Sequence, residues 1–361
     1  MSTTIFTATT AAALLADNIV SFLDYHDDDF FKSLLSVGKT EEESHKIVGW
    51  DWTHGVGLYG LYMLAKEQNN EKLMKDLTDW FYRRIEIGLP EKTVNTVCPL
   101  LTMACLYEDT KDPAFLPIIE EWVNWIMTDM TRTQERGIQH GHSELANKGH
   151  MWDDTLFMSV LFLAKVGVVF NREDYVEEAK YQFLLHAKYL CDSKTGLWYH
   201  GWTFEGRHNF AKALWGRGNC WITVFIPEFL EITGATGLVR ELAVEYLHAQ
   251  VDALVKFQDA ESGLWHTLID DETSYLEASC AAGFCAGILK GIKTDLLSSE
   301  YMPCAERALQ GLYANLTEDG ELLQVSYGTN VGYVLDDYKN IPLRKMHYGQ
   351  SLALMAVLQA L

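Results

Sequence analysis

The sequence predicts an all-α fold in which six outer helices enclose six inner ones, and three observations predict it. Two kinds of helical segment alternate along the chain, long connections recur at every second junction, and proline is scarce, at 7 of 361 residues, which leaves room for long helices. In the first kind, represented by 71–85, Leu73, Leu77, Trp80 and Phe81 mark a stripe while Lys72, Lys75, Asp76 and Asp79 lie elsewhere. The second kind is apolar or small nearly all round, as in DTLFMSVLFLAKVGVVF from Asp154 and EASCAAGFCAGILKGI from Glu277. A helix of that kind has to be enclosed by protein.

In chain order, the amphipathic segment 11–25 is followed by the enclosed 54–66, and the striped 71–85 by 94–107. Then come 113–127 with 152–169, 172–190 with 219–233, 238–257 with 274–292, and 299–315 with 346–360. Six of each in strict alternation close most simply as an (α/α)6 barrel, one domain over residues 1–361, and no strong strand series competes. Connections from an enclosed helix to the next amphipathic one are short. Most of those in the other direction are long, at 26–53, 128–151, 191–218, 258–273 and 316–345, and would emerge together above the inner-helix N-termini. Three of them carry an echoing turn, DSKTGLW, DAESGLW and EDGELL, a weak internal repeat. Long loops on one face of a rigid scaffold are where function usually sits, and helix N-termini there suit a carboxylate ligand.

Lys+Arg is 29 and Asp+Glu is 50, a formal charge of −21, so the surface repels phosphate backbones and anionic lipid and argues against nucleic acid or a membrane as partner. An anionic ligand needs local Arg or Lys to overcome that field. Seven cysteines, an odd count without a Cys-x-x-Cys pair, point to a reduced compartment. Residues 1–20 carry no basic stretch before their Ala-Leu run, and no segment reaches the ~18 apolar residues of a membrane span. The expectation is a cytoplasmic protein.

The long-loop face is rich in Trp, His and carboxylates, including Asp51, Trp52, His140, Trp152, Asp153, Asp154, His200, Trp215, Arg217 and Trp221. Aromatic faces with sparse polar groups suit sugar rings, and the same tryptophans can also simply pack loops onto the barrel. Taken alone, Asp153 and Asp154 at the start of an inner helix read as caps more readily than as catalysts. His140-x-His142 lacks a third metal ligand at a recognisable spacing and reads as a solvated loop, while His200 fits a structural or a functional role equally. Arg217, placed just before an inner helix and flanked by Gly216 and Gly218, favours anion binding over a plain salt bridge.

Together NTVCPLL at 95–101, MWDDTLFM at 151–158, TGLWYHGW at 195–202, WGRGNCW at 215–221 and YLEAS at 275–279 resemble the unsaturated rhamnogalacturonyl hydrolases of glycoside hydrolase family 105, in family order and over most of the chain. Two departures bear on substrate preference: Cys220 stands where the family commonly has Gly, and the 140–150 loop is longer than usual. The resemblance implies an (α/α)6 barrel that hydrolyses oligosaccharides ending in a 4,5-unsaturated uronic acid. It implies that Asp154 protonates C4 of the double bond and assists addition of water at C5. Trp52, Asn95, His140, Asp153, His200, Arg217 and Trp221 are implied to bind substrate, Arg217 through the carboxylate and Trp221 through the flat ring. No metal or organic cofactor is implied. Three other functions fit a similar barrel. They are an inverting glycosidase pairing Asp154 with Asp51 or Glu277, a sugar epimerase using His200 with a second His, and a non-catalytic sugar-binding protein.

Overall fold

The structure, a computed structural model, describes residues 6–361. The expected absence of a basic stretch at 1–20 therefore falls partly outside the described residues. Six inner helices, Trp52–Glu67, Pro99–Thr110, Leu161–Val169, Gly216–Thr233, Ala278–Lys293 and His347–Gln359, each pack on the next, and the last packs on the first. Ala8–Phe22, Glu71–Ile87, Leu116–Thr128, Glu173–Leu190, Gly237–Phe257 and Met302–Ala314 lie outside them. This is the (α/α)6 barrel that the alternation predicts.

Burial follows the two hydrophobic patterns. Every residue from Gly216 to Leu230 of one inner helix is buried, whereas Glu71–Ile87 buries only Leu73, Leu77, Trp80 and Phe81. Each such side chain contributes about 1.5–3 kcal/mol when withdrawn from water, so the outer stripes are what fasten the outer ring.

The echoing turns repeat one packing solution. Gly196, Gly263 and Gly320 all have positive φ, and a Cβ on them would stand 2.2–2.4 Å from the carbonyl oxygens of Ala249, Arg307 and Leu14, each on an outer helix. Buried amides pin the hairpins. Asn219 accepts from the Trp198 N–H at 2.7 Å and donates to the Trp198 carbonyl at 2.8 Å; Gln350 holds Leu322 in the same way, at 2.6 and 3.2 Å. An amide side chain here replaces a strand neighbour.

Several expected boundaries shift, each for a local reason. The 26–53 connection contains two helices, Asp28–Ser36 capped by Asp27 and Glu41–Val48 opened by a Thr40/Glu43 capping box, packed through Leu34, Ile47 and Val48. The 94–107 segment is two helices, Val94–Val97 and Pro99–Thr110, because Pro99 fits a first helical turn better than a helix interior. The 152–169 segment opens with strand His150–Trp152, turns at Asp153–Asp154, and passes through the π-helix Leu156–Val160 before Leu161–Val169. Asp153 and Asp154 thus sit in a tight turn rather than a helical first turn. The strand pairs antiparallel with Gly201–Thr203, and a second small ribbon joins Trp265–His266 to Leu276–Glu277. Arg217 lies inside its helix, not before it, because the helix begins at Gly216.

Candidate active site

A cleft of about 330 Å³ opens where the inner helices begin, large enough for a small sugar. Asp51, Trp52, Asn95, His140, Asp154, Arg217 and Trp221 all line it, contributed by five separate stretches of chain.

The hairpin of His150–Trp152 with Gly201–Thr203 delivers the Asp153–Asp154 turn to the cleft wall, and the Asp153 N–H donates to the His200 carbonyl at 2.9 Å. Asp154 keeps 16% of its side chain exposed, and its Oδ1 lies 3.2 Å from His140 Nδ1. Burial pushes its pKa up to about 7, against the opposing pull of the Arg217 guanidinium. Asp153 is wholly buried and neither carboxyl oxygen has a hydrogen-bond partner among the described residues. Burial first, and the neighbouring Asp154 second, hold its pKa well above the carboxylate range, so it is a neutral acid. Room for it comes from Gly218, where a Cβ would stand 2.3 Å from Asp153 Oδ2. The RGN segment and the DD turn are therefore one packing unit.

Across the cleft, Arg217 is 2% exposed and makes no ion pair among the described residues. One guanidinium nitrogen donates to the Ser326 carbonyl at 3.0 Å, to the Ser326 hydroxyl, and to Tyr348 Oη at 2.6 Å; the group lies 4.4 Å over the Trp215 ring. A buried cation left without a carboxylate carries a desolvation cost that an anionic ligand offsets. Ser326 and Tyr348 were not legible in the sequence as its holders.

Aromatic rings wall the space between these two groups. Trp221 packs edge-on against Trp52 at 6.1 Å and tilted against Phe157 at 5.1 Å, and Trp52 lies 4.8 Å from Tyr348. His140 stacks on Trp152 at 4.1 Å and bonds Thr155 Oγ1 through Nδ1 at 2.7 Å. Its backbone is tied at both ends, to the His150 carbonyl and the Asn147 side chain, so the segment expected to be a solvated loop is pinned and His140 is buried. Burial keeps His140 neutral.

Two expected contact residues sit behind the wall. His200, 1% exposed, bonds Tyr338 Oη through Nδ1 at 2.8 Å and packs on Trp215, and neither it nor Asp153 lines the cleft. Glu277 is also out of reach. It caps Ala278–Lys293 through the Cys280 N–H and accepts from the Ser326 N–H and the Ser279 hydroxyl. Asp51 does line the cleft, and burial pushes its pKa up to about 7 as well.

The profile of Glycosyl Hydrolase Family 88 matches residues 32–361. The unsaturated rhamnogalacturonyl hydrolase YesR of Bacillus subtilis (strain 168) is 33% identical over 308 residues, covering 84% of this chain and 88% of that one. A structure from Salmonella enterica serovar Paratyphi A, described as a possible member of the GH105 family, superposes with a TM-score of 0.92 at 44% identity, covering 100% of this chain and 96% of that one. A family 105 glycoside hydrolase from C. acetobutylicum shares the fold, with a TM-score of 0.80 at 21% identity over 96% of this chain and 98% of its own. The matched segment contains every residue of the cleft's Asp154 and Arg217 walls, and the chain belongs to Glycosyl Hydrolase Family 88, among the glycoside hydrolases of the GH105 type.

Proposed function

We propose that the chain removes a 4,5-unsaturated uronic acid from the non-reducing end of lyase-generated oligosaccharides, most naturally those of rhamnogalacturonan. The observation that carries this is the placement of a carboxyl whose pKa burial raises to about 7, Asp154, opposite a buried cation without an ion pair, Arg217, across an aromatic cleft. Arg217 holds the uronate carboxylate, and the face of Trp221 receives the flattened ring. Asp154, with its proton retained near pH 7, delivers it to C4 of the enol ether. The cation developing at C5 is captured by water, whose proton returns to Asp154. The resulting hemiketal opens to a ketone at C5, and the hemiacetal left at C1 releases the aglycone as an alcohol. His140 Nδ1 stands 3.2 Å from the carboxyl, and Asp153, tied to His200 through its backbone, has a pKa that burial raises well above the carboxylate range, which limits a second negative charge beside Asp154.

The inverting alternative needs a second carboxylate: Glu277 is spent on capping and loop hydrogen bonds, and Asp51, which does line the cleft, leaves cleavage of saturated uronides as the outcome that the test below decides. Residues 1–361 form one catalytic domain in this reading, working in the cytoplasm on imported oligosaccharides without metal or organic cofactor. Among the described residues no helix is long and apolar enough to cross a membrane. Incubation with a rhamnogalacturonan lyase digest tests the reading: the ultraviolet absorbance of the conjugated double bond is expected to disappear while saturated uronides stay intact. Equal cleavage of a saturated galacturonide contradicts it.

A further inference from the structure

We infer that Glu144 makes the outer half of the cleft select a neutral second sugar and reject an aglycone that carries its own negative charge. The inference rests on the reading above, in which Arg217 fixes the unsaturated uronide in the inner half.

The outer half lies between Asp28–Ser36, the 140–150 loop and the segment 327–346. Ser33, His142, Ser143, Glu144 and Asn330 line it there. The Glu144 carboxylate accepts from the Ser33 hydroxyl, which fastens the loop to the helix, and a quarter of its side chain stays exposed. No Lys or Arg stands within ion-pair distance of it among the described residues; its one basic neighbour is His142, at 3.8 Å. Only 7% of the His142 side chain is exposed, and burial lowers its pKa, so this ring leaves the Glu144 charge uncancelled at neutral pH.

The other charges of this half narrow the imbalance without closing it: three lining carboxylates, Asp27, Asp29 and Glu144, face two lining cations, Arg344 and Lys345. Arg344 donates to Asp29 at 2.7 Å and lies over the Tyr327 ring, while Lys345 sits over the Phe22 ring at the outer lip. Asp27 is a further carboxylate, tied to Tyr327 Oη. Beside these carboxylates the lining is neutral and polar, with His142, Ser143 and Asn330. Such groups fit the hydroxyls of an uncharged sugar. The cleft is therefore polarised, with the Arg217 cation inside and an excess of one carboxylate outside. That polarity orients a disaccharide whose only charge is on the unsaturated ring. A sulfate ester or second carboxylate on the aglycone would face Glu144 across a few ångströms, and in a half-exposed site a like charge at that range weakens binding on the order of tenfold.

The test uses two disaccharides with the same unsaturated uronide, one on a neutral deoxyhexose and one on that deoxyhexose bearing a sulfate ester. In the wild-type enzyme the ratio of kcat/KM is expected to favour the neutral substrate by about tenfold or more, expressed in KM, and to narrow as ionic strength rises. Glu144→Gln keeps the size and the Ser33 acceptor, and is expected to shrink the ratio by about tenfold. Equal use of both substrates by the wild-type enzyme, or a ratio that Glu144→Gln and salt leave unchanged, overturns the inference. Absence of turnover on both substrates is a failure of the underlying reading instead. The dissociation constants of the same pair then decide the role of Glu144, and a binding ratio unaltered by Glu144→Gln overturns it there too.

Discussion

In the proposed mechanism Asp154 and Arg217 act through what surrounds them. Asp154→Asn keeps the size of the side chain but holds no carboxylic proton, so turnover of an unsaturated disaccharide is expected to fall by about 10²–10⁴-fold or more, with the circular dichroism of the wild type. Asp153→Asn, behind the wall, is expected to cost less. Retention of more than a tenth of the activity by Asp154→Asn removes it from the role of acid. The raised pKa also fixes two pH dependences. In the proposed mechanism turnover needs the protonated form, so kcat/KM is expected to fall as pH rises through about 7, to which burial pushes the Asp154 pKa. Stability runs the same way. The unfolded chain releases this proton near the ordinary carboxylate pKa while the folded chain keeps it, so stability is lost as pH rises from about 4 towards 7. At pH 8, Asp154→Asn is therefore expected to exceed the wild type in unfolding free energy by on the order of 1–3 kcal/mol; a less stable variant contradicts the burial of a costly charge. Arg217→Ala is expected to lose roughly 10–100-fold in kcat/KM, from about 1.5–3 kcal/mol of charge-assisted contact, and Arg217→Lys to recover part of it. Wild-type kinetics in a folded Arg217→Ala protein would place the substrate carboxylate elsewhere. Both residues were singled out through the resemblance that their dense, specific segments carry; taken alone, Asp154 read as a cap. Ser326 and Tyr348 were not legible, since they reach Arg217 from 109 and 131 residues away and leave no spacing to read.

At the scale of elements, the helices were readable and the turns that aim the site were not. Hydrophobic period separated stripe from all-round burial, but the hairpin that presents Asp154 is three residues a side, below what alternation can signal. The short helices in 26–53 did carry one readable sign, the Thr40-x-x-Glu43 capping box, amid residues too acidic to suggest a packed element. Buried amides such as Gln350 look like surface residues in a sequence, yet Gln350 is fully buried and closes both backbone bonds of Leu322. Gln350→Leu leaves that N–H and carbonyl unpaired, and chemical denaturation is expected to show a loss of about 2–4 kcal/mol. A change under 0.5 kcal/mol would mean that the hairpin is held by its glycine packing alone.

For the whole molecule, a net charge of −21 surrounds one buried, unpaired guanidinium. The barrel makes this possible by converging inner-helix starts on one cleft, so that five distant stretches meet at Asp154 and Arg217. Ring closure was legible because six enclosed segments have no other way to hide every face. The polarity of the cleft was not, because it depends on which loop side chains meet above it. The central claim is that chemistry begins at C4 of the double bond and not at the anomeric carbon. The most direct measurement follows the double bond, the aglycone and C4 together by NMR in deuterated water with an unsaturated rhamnogalacturonan disaccharide. The account predicts that the double bond is lost no later than the aglycone is released, with deuterium entering at C4. Aglycone release that leaves an intact unsaturated uronic acid would contradict it.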